Sequence, residues 1–298
     1  MWVTDMTQAK IGFIGFGEVG YTFSSEMNVH GADITAYDIL LDDPERADEW
    51  EKRILDSGSK VGTFEDVVLN CTHILSTVVT QAAVEVAKLC SSFLNPGQIF
   101  LDLNSTSPSI KVEIGRIIEP SGADFVEGAI LGAVGATGAR TRIFTGGVKG
   151  QEVADLLNSL GMNVFYYSPT IGKASTFKML RSIFSKGVEV LLLEMMVAGR
   201  RAGIDEDLWK DVTSFMSSKP FNEIGGNWME SHAVAHNRRY YEMLQVVEIM
   251  KEIGVEPIMT ERTAAYFKRS IDMGMEGVFP VKPTSIYEVI DFFVRNKE

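Results

Sequence analysis

Lys10-Ile11-Gly12-Phe13-Ile14-Gly15-Phe16-Gly17-Glu18-Val19-Gly20 is a short apolar run that passes straight into spaced glycines. It reads as a β-strand turning into a helix. Gly15 permits the tight turn, Gly17 lets the backbone approach a pyrophosphate, and Gly20 lets the helix sit close to the sheet. The helix start then offers unpaired N–H groups and a positive dipole to phosphates. Phe16, Glu18 and Val19 fill the rest of the turn and count with the glycines as candidate cofactor contacts. A second strand-like run, residues 34–37, ends in Asp38, eighteen residues after Gly20. A carboxylate there accepts from both adenine-ribose hydroxyls and repels a 2′-phosphate. The expected cofactor is NAD, with NADP the alternative if Arg46 turns toward a 2′-phosphate.

Outward from this motif, short apolar runs at residues 73–79, 99–103, 125–126, 142–145 and 164–167 read as further strands. Several are almost continuously apolar, as strands covered on both faces are. Helical patterns at 81–94, 109–118 and 151–160 lie between them. Strand–helix alternation implies a doubly wound parallel sheet, a Rossmann domain of α/β class. The character changes near Ser168-Pro169. A long helical pattern runs from about Lys173 to Ala202, with Leu180, Phe184, Leu191 and Met195 at helical spacing, and stops at Gly203. Helical segments follow near 205–216, 237–253, 260–273 and 286–294. The expected organisation is a Rossmann domain over residues 1–168 and an all-α substrate and dimerisation domain over 169–298.

The chain has 298 residues, 45% hydrophobic and 23% charged, the balance of a globular protein. Its net charge of −12 argues against a broad nucleic-acid or anionic membrane surface and leaves a small molecule as the expected partner. Cys71 and Cys90 cannot make a disulfide framework and read as buried small hydrophobes, which suits a reducing cytoplasm. The first ten residues lack the basic-then-apolar order of a signal peptide. The longest apolar run, residues 188–198, contains Glu189 and Glu194 and is too short and too charged to span a bilayer.

Four segments resemble the β-hydroxyacid dehydrogenase superfamily, which includes 3-hydroxyisobutyrate and 6-phosphogluconate dehydrogenases. They are Thr77-Val78-Val79-Thr80, Asp102-Leu103-Asn104-Ser105-Thr106-Ser107-Pro108, the run from Phe125 to Ala133, and Gly172 followed by Lys178. The likeness is nearest to a phosphogluconate-dehydrogenase-like branch with its own helical C-terminal domain. It implies that Thr77, Val78, Val79 and Asn104 meet the cofactor. It implies that Ser105, Thr106, Leu131 and Gly132 border the substrate, and that Lys178 is the acid/base. Two positions depart from the pattern. Leu131 stands where the family has a substrate-binding serine, and Ser182 where it has an asparagine.

Hydride exchange with an alcohol needs a held nicotinamide, a proton carrier and donors for the developing alkoxide. Lys178, Ser182 and Lys186 fall at i, i+4 and i+8 and share one helix face. Ser182 is placed to donate to the substrate oxygen, and Lys186 to lower the Lys178 pKa or pair with a substrate anion. The same spacing also describes a solvent-facing lysine stripe. Asn104, Ser105 and Thr106 are placed for the nicotinamide or a substrate carboxylate, while Ser107 before Pro108 reads as a helix cap. The small-residue loop 132–138 reads equally as a ligand wrap and as a plain connection. His236 and Arg239 are candidates for recognising an anionic substrate group. His232 and His236 are four apart, but no H-E-x-x-H or cysteine pair accompanies them, so no metal is expected. The resulting expectation is a cytoplasmic, homodimeric, NAD-dependent enzyme acting on a hydroxyl/carbonyl pair. An imine reductase of the same fold and a cofactor-binding sensor without turnover are the alternatives. The active site is expected where the C-terminal ends of the strands meet the helix that begins near Lys173.

Overall fold

The computed structural model describes residues 9–296, so the reading of the first ten residues lies almost wholly outside the described residues. The chain forms two compact units, dividing between Ser182 and Ile183.

The first unit is built on one eight-stranded sheet. Its strands are β1 (Lys10–Ile14), β2 (Asp33–Tyr37), β3 (Lys60–Val61), β4 (His73–Ser76), β5 (Ile99–Asp102), β6 (Asp124–Ile130), β7 (Ile143–Gly146) and β8 (Val164–Ser168). They lie in the order β3-β2-β1-β4-β5-β6-β7-β8. The strand order reverses between β1 and β4, where the glycine turn sits, as in doubly wound sheets that bind nucleotides. Helices α1 (Glu18–Val29), α2 (Ala47–Asp56), α3 (Phe64–Asn70), α4 (Ala83–Ser91), α5 (Pro108–Ile118), α6 (Val134–Thr137) and α7 (Gly150–Ser159) complete the alternation.

Neighbouring side chains along a strand enter opposite cores. Ile11, Phe13, Leu75, Ile99 and Leu101 join one buried cluster with Phe16, Phe23 and Met27. Ile14, Ile74 and Phe100 join the other with Val67, Ala87, Cys90 and Ile114. Gly12 belongs to the second face, because a Cβ there would come within 2.6 Å of Val67. Both cysteines are buried and free, and burial pushes the Cys71 thiol up to about 11.

Two features correct the sequence reading. The sheet is mostly, not wholly, parallel: β7 runs antiparallel to β6. The connection between them holds only the one-turn α6 and a short 3₁₀ turn, too little for a parallel crossover. The two-residue edge strand β3 was also not anticipated, being too short to carry a pattern.

The second unit is helical. It takes α8 (Lys173–Ala202) from Ile183 onward, then α9 (Asp205–Ser217), α10 (Phe221–Glu252), α11 (Ile258–Asp272), α12 (Met275–Val278) and α13 (Ile286–Arg295). Helix α10 begins sixteen residues before the expected start near 237, because Gly225-Gly226 and His232 hide its helical period. Ala233, Met275, Val289 and Phe292 form its small core. Glu194, the charge inside the apolar run, caps α11: it accepts from Met259 N at 2.7 Å, Thr260 N at 2.8 Å and Thr260 Oγ1 at 2.6 Å. Among the described residues no helix is long and apolar enough to cross a membrane.

Candidate active site

The glycine turn divides its labour as the spacing requires. Gly15 has φ +87°, and a Cβ on it would lie 2.7 Å from the Thr77 carbonyl. A Cβ on Gly20 would lie 2.7 Å from the Gly15 carbonyl, so this glycine lets α1 close onto the turn. A Cβ on Gly17 would meet nothing within 4 Å. Gly17 therefore faces open space at the start of α1, where a pyrophosphate fits against helix N–H groups. Thr77 Oγ1 ties β4 to the turn by donating to Gly15 O at 2.6 Å.

A cavity of about 850 Å³ opens beside this turn. Gly15, Gly17, Glu18, Val19, Asp38, Thr77, Val78 and Val79 are among its lining residues. The Asp38 carboxylate is nearly buried and accepts from Phe16 N at 2.5 Å and Leu40 N at 3.0 Å. It braces the glycine turn as well as lining the groove. The Phe16 ring is fully buried in the core against Phe13, so Phe16 offers the groove no side chain. Among the described residues, four carboxylates line the cavity, from Glu18, Asp38, Asp42 and Glu65, and no lysine or arginine does. Arg46 stacks over Trp50 at 4.7 Å and pairs with Glu49 at 3.2 Å.

A second cavity of about 360 Å³ shares Val19, Thr77, Val78 and Val79 with the first and continues to Leu103, Asn104, Ser105 and Ile130. The two make one groove, of a size suited to an extended ligand. Residues 77–79 leave the sheet after β4, where the sequence suggested a longer strand, and so become groove wall.

Lys178 lies on the first turns of α8 and donates to Ser105 Oγ at 2.5 Å. Ser182 spends its hydroxyl hydrogen on the Lys178 carbonyl at 3.0 Å. Lys186 follows one turn later on the same helix and is exposed. Arg181, which the sequence reading passed over, donates to the Leu131 carbonyl at 3.3 Å. The Leu131 side chain is itself buried, so where the family carries a hydroxyl this chain carries packed hydrocarbon. Gly132 is exposed beside it. Gly135 in the small-residue loop packs so near Glu18 that a Cβ would come within 2.5 Å of its carboxylate. Thr106 is buried, with no hydrogen-bond partner for Oγ1, and is not part of the groove wall.

His236 and Arg239 belong to the helical unit. His236 is buried, with Nδ1 3.0 Å from the His232 carbonyl, and Arg239 donates to Ser231 Oγ at 2.8 Å. Among the described residues no group of histidine, cysteine or carboxylate side chains is placed to hold a metal.

Two buried charges under the groove were not anticipated. Lys111 on α5 is 1% exposed and donates to Asp102 Oδ2 at 2.7 Å, Asp102 O at 2.8 Å and Asn104 O at 2.8 Å. Burial lowers its pKa, against the opposing pull of Asp102. Glu127 on β6 is wholly buried and holds the start of α8. Its carboxylate accepts from Gly172 N at 2.7 Å, Ala174 N at 3.1 Å and Ser175 Oγ at 2.7 Å. One signal for Lys111 was available: it repeats with Ile114 and Ile118 at i, i+3 and i+7, the buried face of α5.

A glycine turn at a switch point, an acidic residue after β2 and a groove running to the end of β5 define a Rossmann-type dinucleotide-binding unit. The chain belongs to the β-hydroxyacid dehydrogenase superfamily, matching the NAD binding domain of 6-phosphogluconate dehydrogenase over residues 10–168. Residues 200–270 match a domain of unknown function, DUF1932. The mitochondrial 3-hydroxyisobutyrate dehydrogenase of Mus musculus is 25% identical over 260 residues, covering 84% of this chain and 75% of that enzyme. Conserved protein MTH1747, a solved structure with similarity to 3-hydroxyacid dehydrogenases, is 30% identical with a TM-score of 0.60, covering 88% of this chain and 97% of that one. A reductive aminase from Aspergillus terreus, solved with NADPH, shares the fold at 16% identity and a TM-score of 0.72, covering 96% of this chain and all of its own.

Proposed function

We propose that the protein is an NAD(H)-dependent dehydrogenase or reductase that interconverts a hydroxyl and a carbonyl on an anionic or bulky substrate. The observation that carries this reading is the Lys178–Ser105 hydrogen bond of 2.5 Å. It sets an ionisable amine beside the small pocket that continues the dinucleotide groove past Thr77, Val78 and Val79. When bound, the nicotinamide supplies or accepts the hydride. Lys178 gives the proton to the carbonyl oxygen as the alcohol forms, and takes it back in the reverse direction. Ser105 holds the Lys178 amine in place. Ser182 steadies the helix through the Lys178 carbonyl, and Arg181 offers positive charge to an anionic substrate. Leu131 favours a substrate with an apolar part over the small hydroxyacids that the family's serine serves.

The residues present fit NAD better than NADP. A 2′-phosphate near Asp38 would meet the carboxylates of Asp38, Asp42 and Glu65, with no lysine or arginine among the described residues of that cavity's wall. NAD(H) is expected to bind more tightly than NADP(H), and Asp38→Asn to narrow that gap about ten-fold, equivalent to roughly 1.4 kcal/mol. Calorimetric titration of both cofactors checks this. A wild-type preference for NADP(H) contradicts it.

The same site serves an imine in place of the carbonyl, and a sensor would bind cofactor without consuming it. A screen of NADH consumption over β-ketoacids, bulky ketones and cyclic imines separates these readings. The proposal requires turnover on a carbonyl. A cytoplasmic homodimer completes the reading, supported by apolar side chains that α8 leaves uncovered in the helical unit.

A further inference from the structure

The buried lysine beneath the groove has no role in the chemistry above, yet its contacts converge on one groove residue. Lys111 donates to Asp102 Oδ2, and the other oxygen of that carboxylate, Oδ1, accepts from the Asn104 backbone N–H and from Asn104 Nδ2. Asn104 Nδ2 also donates to Ser76 Oγ at 2.9 Å. Both Asp102 oxygens already accept, Oδ2 from the Lys111 amine and Oδ1 from the Asn104 backbone N–H. The Asn104 amide must therefore turn its NH₂ toward Asp102, which leaves Oδ1 as the free end. That Oδ1 is buried and has no partner, and Asn104 lines the 360 Å³ pocket. A buried acceptor left unpaired is costly, so this one calls for a donor. A buried carboxylate needs partners that offset its desolvation, and Lys111, 2.7 Å from Oδ2, is the partner on that oxygen.

We infer that Lys111 is a positioning residue. By occupying Asp102 Oδ2 it leaves the carboxylate's Oδ1 to the Asn104 donors and so fixes the flip of the Asn104 amide, whose own Oδ1 is kept as an acceptor for an N–H of the ligand in the pocket. The chemical class of that ligand group is a primary carboxamide, of which the nicotinamide end of the cofactor is the one available under the proposed function. The inference rests on that reading. Glu127 acts on the same lysine electrostatically while holding the first turn of α8. The loop with Asn104 and Ser105 and the helix with Lys178 are thus set from one buried cluster.

The test uses three probes on the full chain: NAD, the 3-acetylpyridine analogue of NAD, and ADP-ribose. The acetyl group keeps the carbonyl of the carboxamide and lacks its N–H. Wild type is expected to prefer NAD over the analogue by about five-fold, the worth of one net hydrogen bond. Lys111→Met is expected to abolish that preference while leaving ADP-ribose affinity within about two-fold, the reproducibility expected of surfaces left untouched. A merely structural role would weaken all three probes together. If Lys111→Met does not fold, Lys111→Met/Asp102→Asn removes the stranded carboxylate and carries the same comparison, with the preference again lost because two amides pair in either orientation. Equal wild-type affinity for NAD and the analogue overturns the inference. So does a preference that survives in the variant, or a parallel loss of ADP-ribose binding. Wild type that fails to bind ADP-ribose overturns the dinucleotide reading itself, a result distinct from these.

Discussion

His232 shows how a single side chain ties stability to pH. Its ring packs against Phe267 at 5.3 Å, and its Nε2 lies 2.8 Å from Ser270 Oγ. Burial, then the neighbouring His236 and Arg239, push its pKa down to about 4. The folded state thus prefers the neutral ring, while the unfolded chain takes up a proton near pH 6.5. Between those values the unfolded state holds more protons, so stability falls as pH drops from about 6.5 to about 4. The expected loss is about 1–2 kcal/mol after allowing for partial solvent screening. Urea denaturation across that range checks it: His232→Gln should flatten the slope, and an unchanged slope counts against the assignment. The glycine turn shows the same resolution in space. Gly17→Ala meets no atom and should change stability by only about 0.5–1 kcal/mol; it should weaken NAD binding if, as proposed, the open face receives the phosphates. Gly20→Ala pushes a methyl toward the Gly15 carbonyl and should cost about 1–3 kcal/mol. Equal effects of the two on stability would contradict this division. The tight turn at Gly15 and the close packing at Gly20 were legible in their spacing. The second duty of Asp38, bracing Phe16 N–H, was not, because it depends on where two strand ends meet in space.

Among the elements, α8 carries most of the meaning. Its bounds, Lys173–Ala202, were readable from an unbroken helical pattern ended by Gly203. How it is anchored was not readable, since Glu127 lies 45 residues before Gly172, to which it bonds. Only folding brings a strand carboxylate to a helix start. The same device recurs where Glu194 caps α11. Glu194 looked like an interruption of an apolar run and Glu127 drew no notice as a charge, yet both serve as anion partners for helix N–H groups. Strand β7 illustrates the converse. Its apolar run was plain, but direction is set by the length of the preceding connection, which no local pattern encodes. Lys111 was hidden for a related reason. A lysine on a helix usually points outward, and only its step with Ile114 and Ile118 hinted otherwise.

At the scale of the whole molecule, the helical unit leaves Ile183 (72%), Val190 (41%), Leu193 (59%) and Val197 (51%) exposed on one face of α8. A contiguous apolar stripe of this kind marks a surface made to be covered. We expect two copies to cover it. Light scattering on the full chain should give twice the monomer mass, and Ile183→Glu/Leu193→Glu should shift the population to monomer. A wild-type monomer at micromolar concentration would count against the dimer. The largest claim is that a dinucleotide groove and Lys178 together make a hydride-transfer site, and turnover tests it most directly. NADH consumption is to be followed for wild type and Lys178→Met on whichever carbonyl substrate the screen returns. The account predicts that Lys178→Met lowers kcat at least about 10²-fold, roughly 2.7 kcal/mol, because general acid–base transfer is lost. NADH affinity should stay near the wild-type value. A Lys178→Met variant that turns over at the wild-type rate would contradict the account.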